Sequence, residues 1–384
     1  MTGVAEQPAA PGAARTASVL AASDTPLVGR YDVALLDLDG VVYLGGHPIS
    51  GVARALAQAR EAGMRLAYVT NNASRLPGDI AALLSSMDVP ATEADVITSA
   101  QAAARVLRET VPAGAAVLVV GTDALCQAVA EAGLRPVSSA EDRPAAVVQG
   151  YGKDVGWRQL AEAMIALRAG ASWVATNTDL TLPSVRGPLP GNGSLVGALR
   201  LATGLTPVVV GKPEAALHAE AVSRTKAENP LVVGDRLDTD IEGAVRAGTD
   251  SLLVLTGVTS AAELIGAPPG LRPTYLSAGL DGLLSGHPVV ETGVRDGQAV
   301  ARCRAAHARR TESGLVLAGG TDAGSGDGAG GDTAADALRA LCGVAWAGSV
   351  PDGQQASGDA APIRVRAADR AAEQVLDRLG LLRG

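Results

Sequence analysis

The sequence predicts an α/β protein with a doubly wound parallel sheet, an inserted α/β domain and a small C-terminal extension. From residue 31, short runs rich in Val and Leu alternate with longer helical segments. The runs lack the strict alternation of half-exposed strands, as expected for parallel strands that helices cover on both faces. The stretch between Thr70 and Lys212 is too long for one strand–helix repeat, so we expect it to contain a second domain.

The predicted elements follow one another in a regular order, and Gly63, Gly133 and Gly248 mark predicted helix ends. The predicted strands are 33–36, 65–69, 116–120, 145–148, 172–175, 207–210, 231–233 and 252–255. The predicted helices are 51–62, 78–86, 99–109, 123–132, 157–169, 194–202, 213–224, 238–247 and 260–265. We therefore expect a core domain at 29–95 and 206–287, interrupted by the inserted domain at 96–205.

The two ends of the chain differ in composition from this α/β region. Residues 1–28 are rich in Ala, Pro, Ser and Thr and lack a basic start before an apolar stretch. They predict a disordered tail and not a signal peptide. Residues 288–384 predict an extension of uncertain fold. Its candidate features are a hairpin turn at Asp296-Gly297, a Gly-rich low-complexity loop at 319–334, and helices at 334–342 and 367–380.

Composition excludes several classes of partner. A net charge of −8 offers no general basic surface for nucleic acid or an anionic membrane. No apolar run approaches the roughly 20 residues that a membrane span requires. The cysteines, Cys126, Cys303 and Cys342, are odd in number and widely spaced. We therefore expect free thiols, a reducing compartment and a cytoplasmic location.

Polar side chains follow four of the predicted strands, each at its carboxyl end. They are Asp37 and Asp39 after 33–36, Thr70, Asn71 and Asn72 after 65–69, Lys212 after 207–210, and Asp235, Asp238 and Asp240 after 231–233. Ligands of open parallel sheets bind at the carboxyl ends of the strands. If these strands are neighbours, the polar residues form one site.

The side-chain types at this site favour phosphate chemistry. Adjacent carboxylates repel one another, so the site needs a cation, and all-oxygen ligands favour Mg²⁺. The lysine, hydroxyl and carboxamide groups can then bind a phosphate. One carboxylate is a candidate nucleophile, and a second one two residues later can protonate the leaving oxygen and then activate water. The residues therefore indicate phosphoryl transfer.

The motifs DLDGVVYLGG, TNNAS, GKPE and GDRLDTDIEGAVRAG occur in that order and together resemble the haloacid dehalogenase (HAD) superfamily. More narrowly, they are similar to its subfamily IIA phosphatases, and the resemblance covers residues 30–285. It implies a Rossmann-like core, an inserted α/β cap of the C2 type, and Mg²⁺-dependent hydrolysis of a small phosphomonoester through an aspartyl-phosphate. Glycerol 3-phosphate is the first substrate candidate, and phosphoglycolate, pyridoxal phosphate and nucleotides are the alternatives.

The resemblance also implies a role for each motif residue. The implied catalytic residues are Asp37, the nucleophile, and Asp39, the general acid and base. The implied phosphate-binding residues are Gly40, Thr70, Asn71, Asn72 and Lys212. The implied metal ligands are Asp37, Asp39 through its carbonyl, Asp235 and Asp240. Asp238 is a weaker candidate, since it could simply cap the following helix.

In the resembled subfamily the cap covers the site and contacts the leaving group. The candidate specificity residues in the cap are Tyr151, Asn177, Asp179 and Asn192. Asn177 and Asp179 could equally be structural turn residues.

Two other functions remain as alternatives. A phosphorelay receiver also uses a strand-end Asp with Mg²⁺, but its motif order differs and it needs no inserted cap. A non-catalytic phosphate-binding module should have lost one of the four residues Asp37, Asp39, Lys212 and Asp235, and none is lost. We expect a small phosphorylated substrate as the partner, and a homodimer is one candidate assembly.

Overall fold

The computed structural model describes residues 19–182, 186–319, 333–347 and 363–382. The strands of these residues, numbered along the chain, are β1 (Val33–Leu36), β2 (Tyr43–Leu44), β3 (His47–Pro48), β4 (Arg65–Thr70), β5 (Val96–Thr98), β6 (Ala116–Val120), β7 (Arg135–Val137), β8 (Ala146–Gln149), β9 (Ser172–Ala175), β10 (Thr181–Leu182), β11 (Leu189–Pro190), β12 (Val208–Val209), β13 (Pro230–Gly234), β14 (Asp250–Val254), β15 (Tyr275–Ser277), β16 (Glu291–Arg295), β17 (Gln298–Cys303), β18 (Ala306–Thr311), β19 (Gly314–Gly319) and β20 (Val365–Ala367). The α-helices are α1 (Val52–Glu61), α2 (Pro77–Ser85), α3 (Ser99–Thr110), α4 (Asp123–Glu131), α5 (Trp157–Arg168), α6 (Asn192–Thr203), α7 (Ala215–Thr225), α8 (Glu242–Ala247), α9 (Ala261–Ile265), α10 (Thr333–Trp346) and α11 (Arg370–Arg378).

The core sheet is parallel and has the strand order β15-β14-β13-β1-β4-β5. From β1 the chain runs outward through β4 to β5, and it later returns to β13 on the other side of β1. The winding direction therefore reverses between β1 and β13, which confirms the predicted doubly wound sheet. Such a reversal opens a crevice at the carboxyl ends of the two strands.

Strand β1 is buried on both faces. Ala34 and Leu36 lie in an apolar cluster with α1 and α2, whereas Val33 and Leu35 lie in a cluster with α3 and α7. This double burial explains the continuous apolar run that precedes the two aspartates.

The inserted domain contains a second parallel sheet, in the order β12-β9-β8-β6-β7. Helix α3 links it to the core, because Leu107 shares one apolar cluster with Val33 of the core sheet and Val117 of the inserted sheet. Strand β5 pairs with β4 in the core, although the sequence predicts that the inserted domain begins at residue 96. Strand β12 pairs with β9, although the core is predicted to resume at 206. Both differences involve strands of two or three residues, which are too short to give a clear sequence pattern.

The C-terminal extension forms a third sheet, in the order β16-β17-β18-β19-β20. The predicted turn at Asp296-Gly297 joins the antiparallel strands β16 and β17, and both of its residues have positive φ (51° and 74°). Helix α10 packs on this sheet and on α9 of the core. The buried Arg339 of α10 pairs with Asp336 and donates to the Leu276 carbonyl of β15. Most of the predicted low-complexity loop, 320–332, lies outside the described residues.

Residues 19–28 pack on the core, which corrects the predicted disordered tail at 1–28. Leu20 and Leu27 are buried, and the Ser23 backbone exchanges two hydrogen bonds with that of His287, at 2.9 and 2.8 Å. The prediction failed here because isolated apolar residues in a polar segment give no periodic signal. Residues 1–18 lie outside the described part of the chain. Among the described helices, none is long and apolar enough to cross a membrane.

His287 is a buried titratable group at the point where this N-terminal segment meets the core. Its Nε2 donates to the Gly282 carbonyl at 2.9 Å, and its ring centroid lies 4.9 Å from that of Tyr275. Burial, assisted by the charge of Arg339 and opposed by the hydrogen bond to Gly282, lowers the pKa of His287 to about 4. The folded protein therefore keeps this imidazole neutral at pH values where an exposed histidine is charged.

We expect His287 to make folding stability fall as the pH drops from 7 to 4.5. The unfolded chain takes up the proton near pH 6.5 and the folded chain only near pH 4, so the free energy of unfolding decreases by about 2–3 kcal/mol over this interval. His287→Gln keeps a donor for Gly282 and should remove that part of the pH dependence in urea denaturation. The exposed His47→Gln is the control, and an unchanged pH dependence in His287→Gln would contradict the assignment.

Candidate active site

The crevice between β1 and β13 brings charged residues from three of the four predicted strand ends into contact. The ammonium group of Lys212 donates to Asp37, which follows β1, and to Asp240 at 2.7 Å. It also donates to the Val69 carbonyl of β4 at 3.1 Å. The lysine side chain is 12% exposed and its Asp240 partner 1% exposed. A buried cation therefore lies between the candidate nucleophile and a second carboxylate.

Asp37, Asp235 and Asp240 form a group that fits a metal ion. Each residue offers one carboxylate oxygen, and these three oxygens lie within 4.8 Å of one another. Asp235 is fully buried, and its Oδ1 has no hydrogen-bond partner among the described residues. A buried carboxylate oxygen without a partner is costly unless a cation binds it, and oxygen ligands suit Mg²⁺.

The site raises the pKa values of Asp37, Asp235 and Lys212, which favours neutral carboxyl groups but a charged lysine. Burial raises the pKa of Asp37 to about 7, against the opposing charge of Lys212. Burial, assisted by the charge of Asp240, raises the pKa of Asp235 to about 6. Burial disfavours the charged form of Lys212, yet Asp240 and Asp37 outweigh it and raise the pKa of the lysine. The lysine therefore remains a cation, and the carboxylates need further positive charge to be fully ionised.

Asp39 and Gly40 complete the turn that follows β1. The Asp39 side chain is exposed and lies outside the three-carboxylate group. Its carbonyl contact to a metal stays a prediction. Gly40 has φ of 88°, and an added Cβ would lie 2.3 Å from Asp235 Oδ2. The backbone conformation and the close approach both require glycine here.

Thr70, Asn71 and Asn72 follow the carboxyl end of β4, and protein partners already bind both amide atoms of Asn71 and the amide oxygen of Asn72. Thr70 is 8% exposed and its hydroxyl accepts a hydrogen bond from the Asn72 backbone at 3.1 Å, so its proton can still be donated to a ligand. Asn72 Oδ1 accepts from the amide and the hydroxyl of Ser74, both at 2.8 Å. Asn71 Oδ1 accepts from the Lys212 backbone at 2.7 Å. Their predicted role as phosphate ligands stays a prediction.

Asp238 does not cap a helix. It forms a two-pronged ion pair with Arg236, with N–O distances of 3.0 and 2.8 Å, and the chain over Leu237–Ile241 forms a wide turn before α8.

Three of the four cap candidates lie where the inserted domain meets the core. Asn177 Nδ2 donates to the Asn71 carbonyl at 2.8 Å, and Asn192 Nδ2 donates to the Asn177 carbonyl at 2.7 Å. Asp179 Oδ2 accepts from Asn71 Nδ2 at 3.4 Å, and burial raises the pKa of this carboxyl. Tyr151 is half-buried after β8, and the described residues provide no hydrogen bond to its side chain.

The sequence analysis missed the loop after β14, which holds Asp235 in place. The Val258 amide donates to Asp235 Oδ2 at 2.7 Å, and the Thr256 hydroxyl donates to the Gly40 carbonyl at 2.5 Å. A Cβ on Gly257 would lie only 1.9 Å from Asp235 Oδ2. The available signal was position, since polar and small residues directly follow a buried strand of the same sheet.

Comparison with known proteins identifies the family. A model described as haloacid dehalogenase-like hydrolase matches residues 34–135, and a HAD-hydrolase-like model matches 209–283. The D-glycerol 3-phosphate phosphatase of Mycobacterium tuberculosis is 54% identical over 254 residues, which are 66% of this chain and 71% of that protein. The chain belongs to the haloacid dehalogenase-like hydrolases.

Two further comparisons show that this family member is a phosphatase. The crystal structure of glycerol phosphate phosphatase from M. tuberculosis in complex with magnesium aligns with a TM-score of 0.78 and 43% identity. The alignment covers 93% of this chain and 99% of that one. The 5′-nucleotidase YutF of Bacillus subtilis is 38% identical over 231 residues, covering 60% of this chain and 89% of that protein. The predicted Rossmann-like HAD fold and phosphatase class are confirmed.

We expect Gly257→Ala to weaken Mg²⁺ binding by about 10–100-fold, because the new methyl group displaces the Asp235 carboxylate. Titration calorimetry with MgCl₂ on the substrate-free protein measures this directly. Gly270→Ala is the matched control, since no atom lies within 4 Å of a Cβ at that position. Equal Mg²⁺ affinities for the two variants would show that the loop does not position Asp235.

Proposed function

We propose that this phosphatase hydrolyses a small phosphomonoester, preferably glycerol 3-phosphate, through an aspartyl-phosphate formed on Asp37. The observation that carries the mechanism is the buried ammonium group of Lys212, which binds Asp37 and Asp240 at once. It holds the nucleophilic carboxylate in place and offers positive charge to an incoming phosphate.

Mg²⁺ is the cofactor, and Asp37, Asp235 and Asp240 are the side chains that would hold it. When bound, the ion screens the repulsion between the Asp37 carboxylate and the phosphate dianion and stabilises the charge of the transition state. The buried Oδ1 of Asp235, which has no partner among the described residues, and the proximity of the three carboxylates support this assignment.

The chain's own residues divide the reaction into two steps. In the first, an Asp37 oxygen attacks phosphorus, the bond from phosphorus to the ester oxygen breaks, and Asp39 gives its proton to the leaving alcohol. In the second, Asp39 takes a proton from water, which attacks the phosphorus of the aspartyl-phosphate. The acyl-phosphate P–O bond breaks, inorganic phosphate leaves, and the Asp37 carboxylate is restored.

The preference for a small polyol phosphate is supported by the relative from M. tuberculosis, which is a D-glycerol 3-phosphate phosphatase. It is also supported by the scarcity of aromatic residues in the inserted domain, which are Tyr151, Trp157 and Trp173. Trp173 is buried in the domain's own core, and Trp157 is 81% exposed on α5. Tyr151 alone therefore follows the carboxyl end of an inserted strand, which leaves little to stack against a nucleobase or a pyridoxal ring.

A cytoplasmic location forms part of this proposal. The three cysteines are free thiols, and two of them are buried. Reduced cysteines are typical of cytosolic proteins.

We expect Asp37→Asn to lower the rate of phosphate release from 4-nitrophenyl phosphate by roughly 10³-fold or more, because a carboxamide cannot attack phosphorus. Asp238→Asn is the control, since Asp238 is exposed and pairs only with Arg236 in the described structure. After denaturation in acid, wild-type protein quenched during turnover should carry one phosphate that Asp37→Asn lacks. Retained turnover in Asp37→Asn would refute the nucleophile.

We expect glycerol 3-phosphate to give the highest kcat/KM in a substrate panel with saturating Mg²⁺. The panel contains phosphoglycolate, pyridoxal phosphate, a nucleoside 5′-monophosphate and 4-nitrophenyl phosphate, and phosphate release measures each rate. A higher kcat/KM for pyridoxal phosphate or the nucleotide would refute the substrate and leave the phosphatase mechanism intact.

A further inference from the structure

The segment around Asn192 is packed against the loop that follows β9 so closely that only glycine fits beside it. A Cβ on Gly191 would lie 2.2 Å from the Asp179 carbonyl oxygen, and one on Gly193 would lie 2.2 Å from that of Thr178. The Gly193 amide donates to the Asp179 carbonyl at 2.9 Å. The Gly-rich motif PGNGS is therefore tightly packed against the loop that follows β9.

The side-chain amides of Asn192 and Asn177 donate hydrogen bonds that connect this segment to the core. Asn192 Nδ2 donates to the Asn177 carbonyl at 2.7 Å. Asn177 Nδ2 in turn donates to the Asn71 carbonyl at 2.8 Å, and the Ser99 hydroxyl of α3 donates to the same carbonyl at 2.6 Å. The inserted domain is thus bonded to the residue that follows Thr70.

Asn71 in turn forms hydrogen bonds with the backbone of the catalytic lysine. Its Oδ1 accepts from the Lys212 amide at 2.7 Å, and its Nδ2 donates to the Lys212 carbonyl at 3.2 Å. One carboxamide therefore fixes both backbone polar groups of a single residue. Gly211 allows this proximity, since a Cβ there would lie 2.6 Å from Asn71 Oδ1 and 2.4 Å from the Thr176 carbonyl oxygen.

Burial separates these amides from the substrate. Asn177 is 5% exposed and Asn192 is 1% exposed. Both Asn177 amide atoms are used within the protein, because Oδ1 accepts from the Asp179 backbone at 3.2 Å. Asn192 Nδ2 also donates to the Gln149 carbonyl at 3.4 Å, so both of its N–H groups are used within the protein.

We infer that Asn192 and Asn177 are positioning residues that couple the inserted domain to Lys212 through Asn71, and that they do not read the substrate. The inference rests on the proposed function, because Lys212 acts in that reaction. Displacing the inserted domain moves the lysine that binds both Asp37 and the phosphate. The relay thereby ties catalytic competence to the placement of the cap, whichever leaving group the cap covers.

The test compares Asn177→Ala and Asn192→Ala with two substrates of different leaving group, 4-nitrophenyl phosphate and glycerol 3-phosphate. We expect each variant to lower kcat roughly 10-fold for both substrates, as expected for a misplaced catalytic group. The ratio of the two kcat/KM values should stay within about twofold of wild type, because a lost positioning contact affects both substrates alike. A change in that ratio, or an unchanged kcat in both variants, would overturn the inference.

Gln149→Met is the control for disturbance of the inserted domain. Gln149 is fully buried beside Asn192, and its side-chain nitrogen and oxygen have no partner in the described residues. Its replacement should leave kcat unchanged. Asn192→Ala lies at the far end of the relay, so it keeps the test valid if Asn177→Ala fails to fold.

Binding of inorganic phosphate in the presence of Mg²⁺, measured by calorimetry, separates this inference from the proposed function. If the wild-type protein turned over neither ester, the proposed function would fail. The relay would still predict weaker phosphate binding in Asn177→Ala and Asn192→Ala than in Gln149→Met. Equal phosphate affinity in the three variants would overturn it.

Discussion

The ion pairs of Lys212 are the interaction on which the rest of the site depends. Three carboxylates converge at the reversal point of the core sheet, and burial raises the pKa values of two of them, Asp37 and Asp235, toward their protonated, unreactive forms. The lysine supplies the one positive charge that the described residues place in contact with Asp37 and Asp240. The Asn71 carboxamide binds the Lys212 backbone, Gly211 permits this close approach, and the ammonium group contacts the carboxyl ends of β1 and β4.

Much of the core could be predicted because buried strands appear in the sequence as continuous apolar runs, each followed by polar residues of the site. The run Val33–Leu36 and the aspartates after it were placed correctly, since a parallel strand covered on both faces is continuously apolar. Strands β5, β7 and β15 were missed because runs of three residues carry no periodicity. The loop at Thr256–Val258 was missed because a backbone amide makes its hydrogen bond to Asp235, so only its position after a buried strand marks it in the sequence.

Residue type alone does not distinguish substrate-binding residues of the cap from structural ones. Asn177, Asp179 and Asn192 were predicted as specificity residues of the cap, with a structural turn role as the alternative for Asn177 and Asp179. The structure instead occupies both amide atoms of Asn177 with protein partners. An asparagine that binds a ligand and one that joins two backbone segments look the same in a sequence, and only the burial and the distances separate them.

The position of α3 between the two sheets has a consequence for how the protein unfolds. Its apolar residues belong to one cluster that includes Val33 of the core and Val117 of the inserted sheet. Exposing the side of either sheet that faces α3 would also expose apolar residues of the other sheet. We therefore expect the two domains to unfold cooperatively. Heat should unfold both domains in one transition, and deletion of the inserted domain would expose apolar residues of the core sheet that α3 covers.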